Sequence, residues 1–299
     1  MRDFLIWALA LIALATNSPA APPLRLEWQR AVNQSAMSSP DARIVVVDRS
    51  SGAIIASHQL NAASRTLAAP GSVLKPLLLY RSIETEQWAP SNRVACNRRL
   101  LIGKHMLACS HPEAPPFDAR EALAWSCNSY FAALARTLRP RQLKNLLEPT
   151  GLLDVTGLAA GEAVAELREP SSLEEQQLAV LGVSDIRITP LELAVAYRWL
   201  ANEVAKHPES ASAQTVAAGL RDSAHFGIAS GAGAGGASVA GKTGTAEGTQ
   251  SSRTHGWFAG LAPAQDPQVV VVVYVPTGRG ADAARVAGVI LARVRMTSR

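Results

Sequence analysis

The stretch VAGKTGTAEGTQSSRTHGWFAGLAPAQDPQVVVVVYV, residues 239–275, contains three β-rich runs in succession. The runs cover residues 239–246, 256–262 and 269–275, and turn-forming residues separate them. This pattern predicts three consecutive strands. Apolar residues at helical spacing then predict a closing amphipathic helix over residues 281–294.

The beginning of the chain supplies two further strands. Residues 43–48 and 53–57 are β-rich, and the turn-forming residues 48–52 between them predict a hairpin. Strands near both chain ends, with a helical middle, indicate the α+β class. We predict one antiparallel sheet built from both chain ends, flanked by helices and joined to a helical subdomain.

The middle of the chain carries helix signals. Residues 72–86 have helical spacing after Pro70-Gly71, a second helix is expected from Asp118, and a third over residues 130–138. Thr189-Pro190-Leu191-Glu192 predicts a helix start, because Thr can cap, Pro fits the first position and Glu can reach back to the cap. The Gly/Ala/Ser-rich residues 226–238 predict a loop.

Composition limits the classes of function. The 299 residues are 48% hydrophobic and 18% charged, which is ample for a buried core and argues against long disordered tails. A formal net charge of +5 suits anionic partners such as a wall polymer or a phospholipid surface. The basic residues are scattered and aromatic residues make up only 5%, so we predict no nucleic-acid partner.

The first twenty residues have the pattern of an export signal. Arg2 precedes an uninterrupted apolar run from Phe4 to Ala15, and Ser18-Pro19-Ala20 offers the small residues of a cleavage site. The alternative is an uncleaved membrane anchor, although the run is short of the roughly 20 apolar residues that span a bilayer. We predict a signal peptide over residues 1–20 and an exported, periplasmic or extracytoplasmic protein, membrane-anchored if the segment is not cleaved.

Three cysteines are present, Cys96, Cys109 and Cys127. Cys96 and Cys109 flank a hairpin-like stretch with Gly103 near its middle, so an oxidising compartment favours a disulfide between them. The alternative is two separate buried thiols. No C-x-x-C or H-x-x-x-H spacing occurs, and we predict neither a metal site nor a cofactor.

Three short motifs follow one another along the chain. Each is common by itself, and their order, spacing and context carry the information. They are Ser72-Val73-Leu74-Lys75, Ser126-Cys127-Asn128 and Lys242-Thr243-Gly244.

The first motif has a physical rationale as a nucleophile and its base. Residues three apart on a helix share a face, so the Ser72 hydroxyl and the Lys75 amine can meet. A helix N-terminus favours developing negative charge. A serine is a poor nucleophile until a base removes its proton, and a lysine that is desolvated or next to another cation can be neutral enough to do so. Lys242 is a candidate for that second cation.

Five segments together resemble the transpeptidase domain of penicillin-binding proteins, in the superfamily that also contains the serine β-lactamases. The resemblance extends from about residue 40 to residue 295. The segments are PGSVLKP (70–76), ALAWSCNSYF (122–131), ITPLELAVA (188–196), GKTGTA (241–246) and HGWFAGLAP (255–263).

This resemblance implies a transpeptidase/β-lactamase fold and roles for the residues that match its motifs. Ser72 is expected to attack the carbonyl of a D-Ala-D-Ala-type peptide, with Lys75 as general base. Ser126 is expected to relay the proton to the leaving amine. Asn128 is expected to orient the substrate amide or Lys75.

The same resemblance implies a substrate-binding strand around the third motif. Lys242 and Thr243 are expected to hold the terminal carboxylate of the substrate, with Gly244 and Thr245 completing the strand. The backbone N–H groups of Ser72 and Thr245 are expected to form the oxyanion hole, which is worth a few kcal/mol in enzymes of this kind.

Other residues near the motifs are expected to have supporting roles. Trp125, Trp257 and Phe258 are candidates to line the cleft, and we predict that they pack in the core instead. His255 is predicted to be structural, because the reaction needs no imidazole. The Cys127 side chain is predicted to point away from the cleft.

The resemblance implies a D,D-transpeptidase or D,D-carboxypeptidase that acts on peptidoglycan stem peptides and is acylated by β-lactams. We expect residues 21–299 to be a single catalytic domain, since Ser72 follows the predicted cleavage site too closely for a glycosyltransferase or pedestal domain. Peripheral association with the membrane or a cell-wall complex is compatible with this interpretation.

Two other functions stay open. A class D-like serine β-lactamase shares the K-T-G and Gly-Trp-Phe segments, although such enzymes usually place an apolar residue where Asn128 stands. The E-x-x-L-N segment of class A enzymes does not occur in the sequence. A non-catalytic β-lactam or muropeptide sensor domain is the third possibility.

Overall fold

The computed structural model describes residues 22–139, 141–247 and 253–294. The predicted export segment, residues 1–20, lies outside the described residues. Within the described ranges, no helix combines the length and the apolar character that crossing a bilayer requires.

The described residues contain nine β-strands and ten α-helices, which are joined by turns and loops. The strands are β1 (Arg43–Asp48), β2 (Ile54–His58), β3 (Arg99–Ile102), β4 (His105–Ala108), β5 (Glu166–Leu167), β6 (Ile186–Arg187), β7 (Ala240–Glu247), β8 (Thr254–Ala262) and β9 (Val269–Val275). The α-helices are α1 (Pro22–Ser38), α2 (Leu60–Ala63), α3 (Lys75–Glu84), α4 (Ala119–Ala124), α5 (Asn128–Ala135), α6 (Gln142–Leu147), α7 (Leu173–Val180), α8 (Pro190–Lys206), α9 (Ala211–His225) and α10 (Gly280–Leu291).

The main sheet has five antiparallel strands in the order β2-β1-β9-β8-β7. The first hairpin therefore pairs with the last strand, with Ile44 opposite Val273 and Val46 opposite Val271. This confirms the predicted sheet from both chain ends, with helices around it. It also leaves β7, which carries the third motif, as an edge strand.

The valine run of β9 is apolar without alternation because both faces of the sheet are covered. Val270 and Val272 pack in one core, whereas Val271 and Val273 pack in another. Helices α1 and α10 cover the second face, and α8 lies on the first. A strand that is buried on both sides has no solvent face to make polar.

Two helices begin where the sequence predicts. Asp118 caps α4 in a capping box with Glu121, and Thr189 does the same for α8 with Glu192. The Glu192 carboxylate accepts the Thr189 backbone N–H at 2.7 Å, and the Thr189 hydroxyl accepts the Glu192 N–H at 3.1 Å. These caps fix where the chain enters two helices next to the site.

The strands β3 and β4 form a separate hairpin outside the main sheet. Its two-residue turn begins at Gly103, whose φ of +52° is a backbone conformation that glycine adopts without a steric cost. The hairpin-like stretch between Cys96 and Cys109 is thereby confirmed.

Candidate active site

The predicted nucleophile lies on a tight turn before a helix. Gly71–Leu74 form a 3₁₀ turn that continues directly into α3, so the predicted single helix from residue 72 begins with a narrower turn. Gly71 has φ +55° and donates its N–H to the Gly182 carbonyl at 2.9 Å. A Cβ at Gly71 would come within 2.8 Å of the Thr245 carbonyl oxygen, so only glycine brings this turn so close to β7.

Lys75 joins the first motif to the second. Its Nζ donates to the Ser126 carbonyl at 3.0 Å, the Ser126 Oγ at 3.2 Å and the Asn128 Oδ1 at 2.7 Å. These contacts use all three N–H donors of an ammonium group. Asn128 thus contacts Lys75, one of the two groups that it was expected to orient, while the described residues contain no hydrogen bond from Lys75 to Ser72.

Ser126 has φ +58°, which is uncommon for a residue with a side chain. In this conformation both its carbonyl and its hydroxyl face Lys75. Unusual backbone conformations of this kind concentrate at functional sites. The local conformation thus directs two acceptors of one residue at the buried amine.

Burial shifts the acid–base behaviour of both lysines. Lys75 is fully buried, and desolvation lowers its pKa to about 8 against the opposing effect of the nearby thiols of Cys109, Cys127 and Cys96. Lys242 is fully buried as well, and desolvation together with the charge of Lys75 holds its pKa well below the ordinary value. A buried amine near another cation loses its proton more readily.

The third motif lies along β7 next to the Ser72 turn. Thr243 and Thr245 line the cleft, whereas Lys242 is buried behind it and donates to the Thr243 carbonyl at 3.0 Å. A Cβ on Gly244 would be 2.5 Å from the Pro70 carbonyl and 3.2 Å from the Ser72 nitrogen. The glycine therefore allows the edge strand to pack directly on the nucleophile turn.

A cleft of about 600 Å³ opens between these elements. Five of the predicted catalytic and substrate-binding residues line it, namely Ser72, Ser126, Asn128, Thr243 and Thr245. The hairpin strand β4 with Cys109 and Ser110 forms one wall, and Val183 and Arg279 contribute further lining. Such a cleft has room for a short peptide beside the serine.

Of the three aromatic residues expected in the core, two are there. Trp257 and Phe258 are fully buried. Trp125 is half-buried, because it packs against the core and also lines the cleft, with its ring 5.8 Å from the ring of Phe226; the core prediction is confirmed for it only in part. It ends α4 directly before the second motif, so its ring lies beside the site.

His255 has the structural role predicted for it. Its Nε2 lies 2.8 Å from the Ala69 carbonyl, which also accepts the Trp257 indole N–H at 2.9 Å. Burial lowers the pKa of His255, which is consistent with a neutral ring donating to that carbonyl. Two groups from β8 thus fix the chain just before the nucleophile turn.

Sequence reasoning missed two supporting residues. The Tyr197 hydroxyl, fully buried on α8, donates to the Val73 carbonyl at 2.9 Å and so fixes the nucleophile turn from the opposite side. Gly182 lies against Gly71, where its own Cβ would meet the Gly71 oxygen at 2.3 Å. A single buried phenol or glycine has no spacing pattern that would reveal such a contact.

The three cysteines lie together. The Sγ atoms of Cys96 and Cys109 are 3.6 Å apart, and all three cysteines are free thiols. Cys127 is buried and does not line the cleft, which agrees with the prediction that it points away. The Cys96–Cys109 disulfide stays a prediction, because free thiols at this distance do not test whether oxidation joins them.

The same thiols contact the second motif. The Cys109 Sγ accepts the Asn128 backbone N–H at 3.2 Å. The hydrogen bond with Cys127, together with this N–H, lowers the pKa of the Cys109 thiol, and the same pairing and burial raise the pKa of Cys127. In the hydrogen bond between these two thiols, Cys127 therefore donates its S–H and Cys109 accepts it.

Comparison with known proteins agrees with this geometry. Residues 42–294 match the family described as the penicillin binding protein transpeptidase domain. The chain is 33% identical over 195 residues to the peptidoglycan D,D-transpeptidase PbpA of Mycolicibacterium smegmatis, a match that covers 55% of this chain and 40% of that protein. The chain therefore spans well under half of the length of this curated relative.

Solved structures share the fold at low sequence identity. The transpeptidase domain of Burkholderia pseudomallei penicillin-binding protein 3 superposes with a TM-score of 0.78 at 20% identity, covering 91% of this chain and 93% of that one. A Burkholderia ambifaria peptidoglycan glycosyltransferase gives 0.77 at 21% identity, covering 90% and 94%. Pseudomonas aeruginosa PBP2, solved with WCK 5153, gives 0.77 at 22% identity, covering 90% and 73%.

Proposed function

The chain belongs to the penicillin-binding protein transpeptidase domain family, and from this premise we propose that it is a serine D,D-transpeptidase or D,D-carboxypeptidase acting on peptidoglycan stem peptides. The observation that carries the proposal is the convergence of three distant motifs on one cleft. Ser72, Ser126 and Thr243 line that cleft, and Lys75 connects the first two motifs by hydrogen bonds.

The acylation step follows from the donors and acceptors around Ser72. The Ser72 Oγ attacks the carbonyl carbon of the penultimate D-alanine while its proton passes to the neutral Lys75 Nζ. The tetrahedral oxyanion is stabilised by the backbone N–H groups of Ser72 and Thr245. The C–N bond then breaks, the acyl group stays on Ser72, and the terminal D-alanine leaves as an amine.

Ser126 is suited to return the proton to the leaving amine. Its hydroxyl is 3.2 Å from Lys75 Nζ and lines the cleft, so it can donate towards the substrate while accepting from the lysine. A hydroxyl performs both roles at once, because it has one donor and two acceptor positions. Lys75 thereby regains its neutral form for the next acyl transfer.

Thr243 and Thr245 are proposed to contact the terminal carboxylate of the substrate. Both line the cleft, whereas Lys242 is fully buried behind them. Lys242 then acts on the carboxylate over a longer distance, because the bound anion favours the protonated form of this buried amine. The low dielectric around two buried lysines makes such charge effects larger than at a surface.

The acceptor that releases the acyl group is an amine in cross-linking and water in carboxypeptidation. Either reaction requires a substrate found outside the cytoplasm. We therefore also propose that residues 1–20 direct export, that residues 21–299 form the catalytic domain, and that the protein works in the periplasm or at the outer face of the membrane.

A mapping experiment tests the assignment of the nucleophile. Protein incubated with a fluorescent penicillin should be labelled once, and digestion should place the adduct on Ser72. The Ser72→Ala variant should not be labelled, while an exposed serine such as Ser50, changed to Ala, should label as wild type. An adduct on another residue would refute the assignment.

The reaction itself is tested with a stem pentapeptide ending in D-Ala-D-Ala. We expect release of D-alanine by the wild type and none by Ser72→Ala, with an added amino-acid acceptor appearing in the product if the enzyme cross-links. Penicillin labelling without any D-alanine release would favour the sensor interpretation.

A further inference from the structure

Four side chains outside the reaction scheme converge next to the cleft. We call Cys96, Cys109, His111 and Cys127 the thiol–imidazole cluster. Their sulfur and nitrogen ligand atoms all lie within 4.8 Å of one another. Cys96 Sγ is 3.6 Å from Cys109 Sγ and 3.2 Å from His111 Nε2.

Two of these separations, 3.6 Å between Cys96 Sγ and Cys109 Sγ and 3.2 Å between Cys96 Sγ and His111 Nε2, are close to the edges of a metal tetrahedron. Zinc–sulfur bonds of about 2.3 Å and zinc–nitrogen bonds of about 2.0 Å place tetrahedral ligand atoms roughly 3.5–3.8 Å apart. Three cysteines and one histidine are a known ligand set of structural zinc sites. Soft thiolates with an imidazole also favour zinc over calcium or magnesium, which prefer oxygen ligands.

The orientation of the His111 ring also supports metal binding. Its Nδ1 is 2.7 Å from the Pro112 carbonyl, which can only accept, so Nδ1 carries the proton. Nε2 is then left with a lone pair that faces the Cys96 sulfur at 3.2 Å. Metal-ligating histidines characteristically hold their second ring nitrogen in this way. The ring is buried and packs edge-on against Phe117 at 4.7 Å, which fixes its direction.

A disulfide explains only part of this arrangement. A Cys96–Cys109 bond would use two of the three sulfur atoms and would leave Cys127 and the His111 lone pair without a role. We propose instead that the thiol–imidazole cluster binds one Zn²⁺ through all four side chains. The site is four-coordinate and closed, so the ion is structural and takes no part in acyl transfer.

The position of the cluster connects the hairpin to the second motif. Cys96 precedes β3, Cys109 follows β4, and Cys127 lies directly before α5. Asn128 also donates its side-chain amide to the Ala108 carbonyl at 3.1 Å. The ion therefore holds the cleft wall against the segment that carries Ser126 and Asn128. This positioning role rests on the proposed function, whereas metal binding itself does not.

Metal content is the first test, with the full chain purified without chelator or reductant. We expect one equivalent of zinc per chain by mass spectrometry of the metal, and three thiols that react with a disulfide reagent only after a strong chelator is added. Replacement by Co²⁺ should give the sulfur-to-cobalt charge-transfer band and the intense d–d bands of a tetrahedral thiolate site.

Variants locate the ion. His111→Ala should weaken zinc binding by at least about tenfold, the effect that even outer partners of a metal site produce. The matched control is His105→Ala, which removes a histidine from the same hairpin outside the cluster. Unchanged zinc binding in both His111→Ala and Cys96→Ser would overturn the proposal.

Two results on the wild type would also overturn it and do not depend on any variant folding. One is a chain without zinc whose intact mass is lower by two hydrogen atoms, which would establish the disulfide. The other is an octahedral Co²⁺ spectrum without the charge-transfer band.

Penicillin labelling separates the two parts of the inference. Removal of zinc should slow labelling of Ser72, and restoring zinc should return it. Equal labelling with and without the ion would refute the positioning role alone. A chain that binds zinc but is never acylated would refute the proposed function and leave the metal site in place.

Discussion

The protonation state of Lys75 decides whether it can act as the general base. Burial lowers its pKa to about 8, and a general base works only without its proton. Below that pKa the neutral fraction falls about tenfold for each pH unit. We therefore expect the second-order rate of penicillin acylation to rise with pH and level off above about pH 8, measured by quenched fluorescent labelling. Lys104→Ala, which removes an exposed lysine from the hairpin turn, should keep the same profile.

Replacing Lys75 and replacing Lys242 should impair acylation in different ways. Lys75→Ala removes the base, so acylation should be nearly abolished even at saturating β-lactam. Lys242→Ala removes a charge that acts on the substrate carboxylate, and a charge-assisted contact of about 1.5–3 kcal/mol corresponds to a loss of about 10- to 150-fold in the second-order rate. Concentration series of acylation separate the two effects. Near wild-type acylation by Lys75→Ala would contradict the mechanism.

Among the elements, the contact between β7 and the nucleophile turn sets the geometry of the site. A Cβ at Gly244 would lie 2.5 Å from the Pro70 carbonyl, which is backbone and cannot rotate away. We expect Gly244→Ala to fold and to acylate about 100-fold more slowly, the effect of a displacement of about 1 Å between reacting groups. Gly231→Ala is the control, since a Cβ there makes only ordinary contacts of 3.4 Å or more. Equal rates in the two variants would show that the close approach does not matter.

The same elements show which parts of the molecule the sequence can predict. Strands β7, β8 and β9 and the capped start of α8 follow from local signals, namely β-rich runs between turns and a Thr-Pro-x-Glu cap. Helix α9 was not predicted, because alanine, serine and glycine dominate its sequence and its buried face depends on small residues such as Ala213 and Ala224. Its place is decided by tertiary packing rather than by an apolar stripe.

Within the site, the sequence predicts which motif residues take part but not how deeply their side chains are buried. The motifs predict that Ser72, Lys75 and Ser126 meet, and in the structure Ser72 and Ser126 line one cleft while Lys75 is hydrogen-bonded to Ser126. Burial of Lys242 behind the cleft depends on how β7 packs against the nucleophile turn. The thiol–imidazole cluster joins residues on both sides of a hairpin with one before α5, so no short spacing rule could detect it.

For the whole molecule, the lifetime of the acyl-enzyme separates a transpeptidase from a β-lactamase. Rapid deacylation needs a group that activates water. The E-x-x-L-N segment of class A enzymes does not occur in the sequence, and Asn128 stands where class D enzymes usually have an apolar residue. Asn128 here holds Lys75 at 2.7 Å, which favours the free amine over the carboxylated lysine of class D.

Intact mass after a penicillin pulse should therefore show an adduct that lasts many minutes, and added bicarbonate should change little. The Ser72→Ala variant, which should form no adduct, shows whether any drug stays bound without a covalent bond. Loss of the adduct within seconds, with hydrolysed drug accumulating over many turnovers, would make the class D-like β-lactamase the better explanation.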